Sequence, residues 1–240
     1  MNMSWSTAQM QYEEIIKKLK SLANPKNVKG MARFGINPKN NLGISVATIR
    51  EIAKEIGKDH NLALLLWDSG IRDARMLAAH IDDPNHVTED QMEQWVKDFD
   101  SWDVCDNCCG HLFDRTRFAY LKAVEWSSRD EEFVKRAGFT LMAWLPVHDK
   151  KADDEKFIKF LSFIEKESID ERNFVKKAVN WALRNIGKRN IALNHKAINT
   201  AEKIKKIDSK SAKWIANDAI RELSSEKIRE MLVKKERKSK

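Results

Sequence analysis

Along nearly the whole chain apolar residues recur at spacings of three and four, and strand-like alternation is scarce. This periodicity predicts helices over about 8–22, 45–57, 60–68, 71–81, 88–99, 102–125, 130–145, 153–166, 171–187, 194–206 and 210–233, some of them broken. Thr48 with Glu51 and Thr88 with Gln91 have the spacing of a capping box, in which a hydroxyl accepts from the first turn of a helix. Segment 24–44, with Pro25, Gly30, Gly35, Pro38 and Gly43, is the least helical. It reads as a mobile surface loop or as a connection that touches a ligand.

The pattern also repeats. Phe133-Val134-Lys135-Arg136-Ala137 returns 41 residues later as Phe174-Val175-Lys176-Lys177-Ala178, with an amphipathic helix expected between the two copies. A period of about 40 residues with two helices in each is the signature of HEAT and armadillo arrays. Such helix pairs cannot bury their apolar faces alone, so they stack on one another. The expected fold is therefore all-α: an α-α superhelix of stacked HEAT-like helix pairs with a concave basic groove. It is expected to take residues 1–233 as a single domain, and the basic tail 234–240 is expected to be disordered.

Helical phase separates core residues from the others. At about 100° per residue, Val175, Ala178, Val179, Ala182, Leu183 and Ile186 fall on one side, while Lys177, Trp181, Arg184 and Lys188 fall opposite. One repeat earlier Val134, Ala137, Gly138, Leu141 and Leu145 make the core face, which leaves Arg136, Thr140 and Ala143 on the opposite stripe. Arg136 and Lys177 thus take the same slot in neighbouring repeats. Cations recurring at the period of a solenoid would line a wall that follows a phosphate backbone. The plainer alternatives are ordinary solvation of outward-facing cations and, for Trp181, cover by another helix or by the tail. Farther upstream, Trp102 and Asp106 are one helical turn apart, which stacks an aromatic ring and a carboxylate on one face. Asp103 or Asp106 is equally suited to capping the start of that helix.

Composition narrows the partner. Lysines and arginines outnumber acids 44 to 36, for a net charge of +8. That excess suits a polyanion and equally suits a solvated basic surface. Most of the eight tryptophans are expected in the core. Apolar runs such as Leu62 to Trp67 are too short to cross a bilayer, and the first residues lack the basic and apolar regions of a secretion signal. A cytoplasmic protein with no membrane partner is expected. Cys105, Cys108, Cys109 and His111 invite a metal reading, but a helix scatters adjacent cysteines and no second C-x-x-C exists. Buried thiols between helices are expected instead, with no metal and no cofactor.

Several pieces together resemble the AlkD-like DNA alkylation repair proteins, a family of HEAT-like repeat DNA glycosylases. They are Leu42-Gly43-Ile44, Leu66-Trp67-Asp68, Arg72-Asp73-Ala74-Arg75, Trp102-Asp103-Val104-Cys105-Asp106, Arg136-Ala137 and Asn180-Trp181-Ala182-Leu183-Arg184, in order over roughly residues 30–225. The resemblance implies excision of N3- or N7-alkylated purines from duplex DNA. It implies Asp106 as catalytic carboxylate, Trp102 and Trp181 as aromatics against the sugar–phosphate backbone, and Arg136 as a cleft arginine. Arg184 is a weaker match, and with Lys177 and Lys188 it completes the expected DNA-binding cations. Ser101 stands where the family often has the first of two adjacent tryptophans.

The chemistry suits these residue types. An alkylated purine is already cationic and leaves without a proton donor, so the enzyme has to stabilise an oxocarbenium-like sugar, as in glycoside hydrolysis. A fixed carboxylate and tryptophan faces both do so. On this reading Asp106, Arg136 and Trp181 face one solvent-filled hollow, the protein is a monomer without an obligate protein partner, and the adduct is left open. Two other readings stand beside it: a non-catalytic module for distorted or branched DNA, and a protein-binding HEAT scaffold.

Overall fold

A computed structural model describes residues 7–239, with side chains for 9–237; Trp5 lies outside them. The described residues form fourteen α-helices, one 3-10 turn and no strand. None of these helices is long and apolar enough to cross a membrane. The chain divides after Arg117 into two compact units, each taken in turn.

The first unit holds α1 (Thr7–Ser21), α2 (Pro25–Ala32), α3 (Val46–Ile56), α4 (His60–Asp68), α5 (Arg72–Ile81), α6 (Glu89–Lys97) and α7 (Trp102–His111), followed by the turn Phe113–Arg115. Helix α5 is buried nearly all round, through Ala74, Met76, Leu77, Ala78, Ala79 and Ile81, so α3, α4 and α7 all pack on it. Trp67 and Trp95 stack with centroids 3.9 Å apart and pin α6 to α4. The Trp67 indole donates to Asp98 at 2.9 Å, and Arg75 stands 5.2 Å from the Trp67 ring. Of the two capping boxes, Thr88 caps α6 by accepting from the Gln91 backbone at 3.1 Å. The Thr48 box does not form. Ser45 caps α3 by accepting from Thr48 itself at 3.1 Å, because the apolar stripe of that helix begins earlier.

Segment 24–44 contains α2 and is tied to the rest of the unit by hydrogen bonds. Asn24 caps α2, and both carboxylate oxygens of Asp73 accept from the chain beyond it, from Leu42 at 2.7 Å and from Ile44 at 2.9 Å. Between them Gly43 has φ +73°, and a Cβ there would collide with the Asn24 carbonyl, so this position of the Leu-Gly-Ile motif requires glycine.

The second unit is the repeat proper: α8 (Ala119–Ser127), α9 (Glu132–His148), α10 (Asp154–Glu167), α11 (Asn173–Gly187), α12 (Ile191–Lys205), α13 (Lys210–Leu223) and α14 (Glu226–Ser239). α8 packs on α9, α10 on α11 and α12 on α13, while α9, α11 and α13 follow one another in a row. The helix pairs read from the 41-residue shift are thus the units of the fold. At Gly138 a Cβ would lie 2.5 Å from the Ser127 backbone nitrogen, so only glycine lets α8 and α9 approach this closely. Residues 234–239, expected to be disordered, instead continue α14. The stretch has no glycine or proline, Ile228 and Leu232 anchor it, and the Lys235 ammonium donates to the Lys188 carbonyl at 2.7 Å, just past the end of α11.

Candidate functional site

In the first unit the site is built on α7. Ser101 stands at the N-cap, and its hydroxyl donates to Asp103 at 2.7 Å. Asp103 also accepts from Arg72, at 2.8 Å from Nε, and from the Val104 backbone at 2.9 Å. Arg72 in turn donates to Asp73 at 2.9 Å. Asp103 is therefore the carboxylate that fixes the helix start, and Arg72 links it to the loop at 42–44. Between 101 and 110 only Trp102 and Asp106 escape burial, so the one-turn spacing does bring a ring and a carboxylate to one accessible strip. The Trp102 indole donates to the Phe34 carbonyl at 2.9 Å, which sets its orientation. On the other side of α7, Cys105, Cys108 and Cys109 are all buried, as expected. Burial pushes the Cys108 and Cys109 thiols well above the usual range, which keeps them protonated packing groups.

The second unit carries the other expected site residues, with one correction. Arg136 does not stand on an open wall. It is 5% exposed, and its guanidinium donates to the Phe174 carbonyl at 2.6 Å. The reason is that α9 is packed by α8, α10 and α11, so every residue from Val134 to Ala143 is buried, Thr140 and Ala143 of the expected open stripe among them. The expectation of a solvent-filled hollow therefore fails at Arg136. Two of the expected cations on α11 have acidic partners within the fold. Arg184 pairs with Glu222 and, at 3.6 Å, with Asp218; Lys188 pairs with Glu222 at 3.0 Å. Burial raises the Glu222 pKa, but hydrogen bonds from Lys188 and Arg184 outweigh it and hold the carboxyl below its ordinary value. Arg184 and Lys188 are thus largely neutralised within the fold.

Lys177 is exposed, as read, and has no ion-pair partner among the described residues. Trp181 is half-buried, because Trp144 meets it edge-to-face with centroids 5.2 Å apart. Trp144 also stacks on His148 at 4.7 Å, and its own indole nitrogen is buried with no acceptor among the described residues.

Sequence reasoning missed two of these aromatics. Phe34, 74% exposed and joined to Trp102 through its carbonyl, lies in the segment read as loop. Its one signal was a large aromatic among glycines and asparagines, outside helical spacing. Trp144 had none: the 41-residue shift carries it onto Asn185, and only packing places it beside Trp181.

The comparisons with known proteins agree with this architecture. A solved structure of a new family of proteins, related to the HEAT-like repeat DNA glycosylases and with affinity for branched DNA structures, superimposes with a TM-score of 0.72 at 20% identity, over 88% of this chain and 94% of that one. That likeness shows a HEAT-like repeat fold. An uncharacterised protein of Listeria innocua is 22% identical over 201 residues, 82% of this chain and 87% of its own length. One of Listeria monocytogenes is 24% identical over 134 residues, 54% of this chain and only 60% of its own length. The pattern of the DNA alkylation repair enzyme family matches residues 15–223, and the chain belongs to that family.

Proposed function

We propose that the protein binds DNA and excises cationic N3- or N7-alkylated purines from it, with Asp106 as the catalytic carboxylate. The observation that carries this reading is the division of labour on α7: Asp103 is buried and committed to Arg72, whereas Asp106 shares an accessible strip with Trp102. The bond between C1′ and the purine nitrogen breaks, and its electron pair leaves with the base, neutralising the ring. Asp106 and the face of Trp102 stabilise the positive sugar that remains. Water then adds to C1′ and gives its proton to the carboxylate, leaving an abasic sugar and a free modified base. Lys177 meets a phosphate, and Trp181 lies against the sugar–phosphate backbone. Arg136 is a positioning residue, acting through the start of α11, whose Phe174 carbonyl it holds.

The test is single-turnover release of modified base from methylated duplex DNA. Asp106→Asn is expected to slow release by about 10² or more with unchanged thermal stability. Release at the wild-type rate would remove the assignment.

A second reading has its own support. With Arg184 and Lys188 neutralised, few open cations remain along α11 for a long duplex. The structural relative, moreover, has affinity for branched DNA structures. On this reading the protein holds a branched DNA without cutting the glycosidic bond. It is distinguished by a wild-type protein that retains a four-way junction over linear duplex and releases no base.

A further inference from the structure

Seven tryptophans lie among the described residues; three are buried, three half-buried, and Trp214 alone is exposed, at 41%. An exposed indole leaves a large apolar face in water, so the question is what lies around it. Register gives the first part of the answer. A shift of 37 residues carries Val175, Ala178, Val179, Ala182 and Ile186 of α11 onto Ala212, Ile215, Ala216, Ala219 and Leu223 of α13, all of them buried. The same shift carries Lys177 onto Trp214. Arg136, Lys177 and Trp214 therefore hold one slot in three successive helices of the row, with the first turned inward and the other two exposed.

The surroundings give the second part. Trp214 borders a cavity of about 330 Å³ whose other walls are Glu171, Lys176, Lys210 and Ser211. The Lys176 ammonium stands 5.1 Å from the ring centroid, over one face of the indole. The Ser211 hydroxyl is spent on the Asp170 carbonyl at 2.7 Å. Lys177 and Lys210 are exposed and have no ion-pair partner among the described residues. Against the two lysines of the lining, Lys176 and Lys210, stands a single acid, Glu171. An exposed aromatic ring flanked by unpaired lysines is the composition of a single-strand platform, where a base stacks on the ring and the cations meet its phosphates. The cavity volume falls within the range of sites that hold a small organic group.

We propose that Trp214 is a stacking platform for an unpaired DNA base, with Lys176, Lys177 and Lys210 meeting the flanking phosphates. A base within a duplex has both faces covered by its neighbours, so the platform acts only where a strand end, flap or junction frees one. The proposal rests on the reading that the protein binds DNA, and it makes α13 the element that separates open strands from continuous duplex.

The experiment uses the full chain and fluorescence anisotropy with two probes: a blunt duplex, and the same duplex with a short single-stranded thymidine overhang. Trp214→Ala is expected to weaken binding to the overhang probe roughly tenfold and to leave blunt-duplex binding within about twofold. Trp214→Phe keeps most of the affinity, because a ring remains. Because Trp214 is exposed, both variants should show the wild-type helical circular dichroism. Trp214→Ala binding the overhang as wild type does, or losing equally on both probes, overturns the platform and leaves DNA binding standing. A wild-type protein that binds neither probe overturns the DNA reading itself, and the platform with it.

Discussion

Around α5 and α7, Arg72, Asp73 and Asp103 are buried and spend their hydrogen bonds on one another and on the backbone of residues 42–44. Along α11 and α13, Lys177 and Lys210 stand exposed with no ion-pair partner among the described residues. The first arrangement removes charges from water, which is tolerable only when each finds fixed partners, and the result is a rigid scaffold under Trp102 and Asp106. The second leaves charge available to a polyanion. Arg136 and Lys177 repeat this contrast within a single slot of the fold. Charge at a given position of a repeat therefore does not say whether that charge serves the fold or a ligand; its neighbours decide.

Substitutions can press on that contrast, beginning where the effect is greatest. Asp103→Ala leaves Arg72 buried beside Asp73 alone and is expected to cost about 3 kcal/mol in urea unfolding. A loss below about 1 kcal/mol would mean the network is not the scaffold described. Next come the two residues of the shared slot. Arg136→Ala removes a buried guanidinium together with its hydrogen bond to the Phe174 carbonyl and should cost about 1–3 kcal/mol. Lys177→Ala should stay within about 0.5 kcal/mol of wild type, yet lower the salt dependence of DNA binding by about one unit of slope. Equal stability losses in the two variants would erase the distinction drawn between them.

The smallest effect concerns acid. The folded-state pKa of Glu222 is held below its ordinary 4.5, so its pairing contributes fully above pH 4.5 and is lost as pH falls through the lower folded value. Because the pair is partly solvated, the contribution is on the order of 1 kcal/mol or less. Glu222→Gln should flatten the fall of unfolding free energy with pH below 4.5, and an unaltered slope would mean the pair contributes nothing.

Much of the fold was legible in the chain because helical periodicity and a 41-residue shift are local properties. Some of the predicted stretches were expected to be broken, and 102–125 and 210–233 each divide, the second at Ser224 and Ser225 between α13 and α14. The Trp102–Asp106 spacing also translated directly, since i and i+4 share a face in any helix. Phe34 and Trp144 were not legible, because neither is placed by its own helix. Phe34 is set by a loop anchored on Asp73, and Trp144 by the neighbouring helix that carries Trp181.

By itself the sequence determined most of the helices, their pairing into repeats, the slot shared by Arg136 and Lys177, and the ring and carboxylate on α7. Tertiary structure alone decided which of those charges remain open. A helix phase says which side faces the core, but a helix packed on several sides has no free side left, as at Arg136. The partner that neutralises a cation can also arrive from the next repeat, as Glu222 does for Arg184 across 38 residues. Exposure and pairing are properties of neighbours in space, and no pattern within one helix contains them.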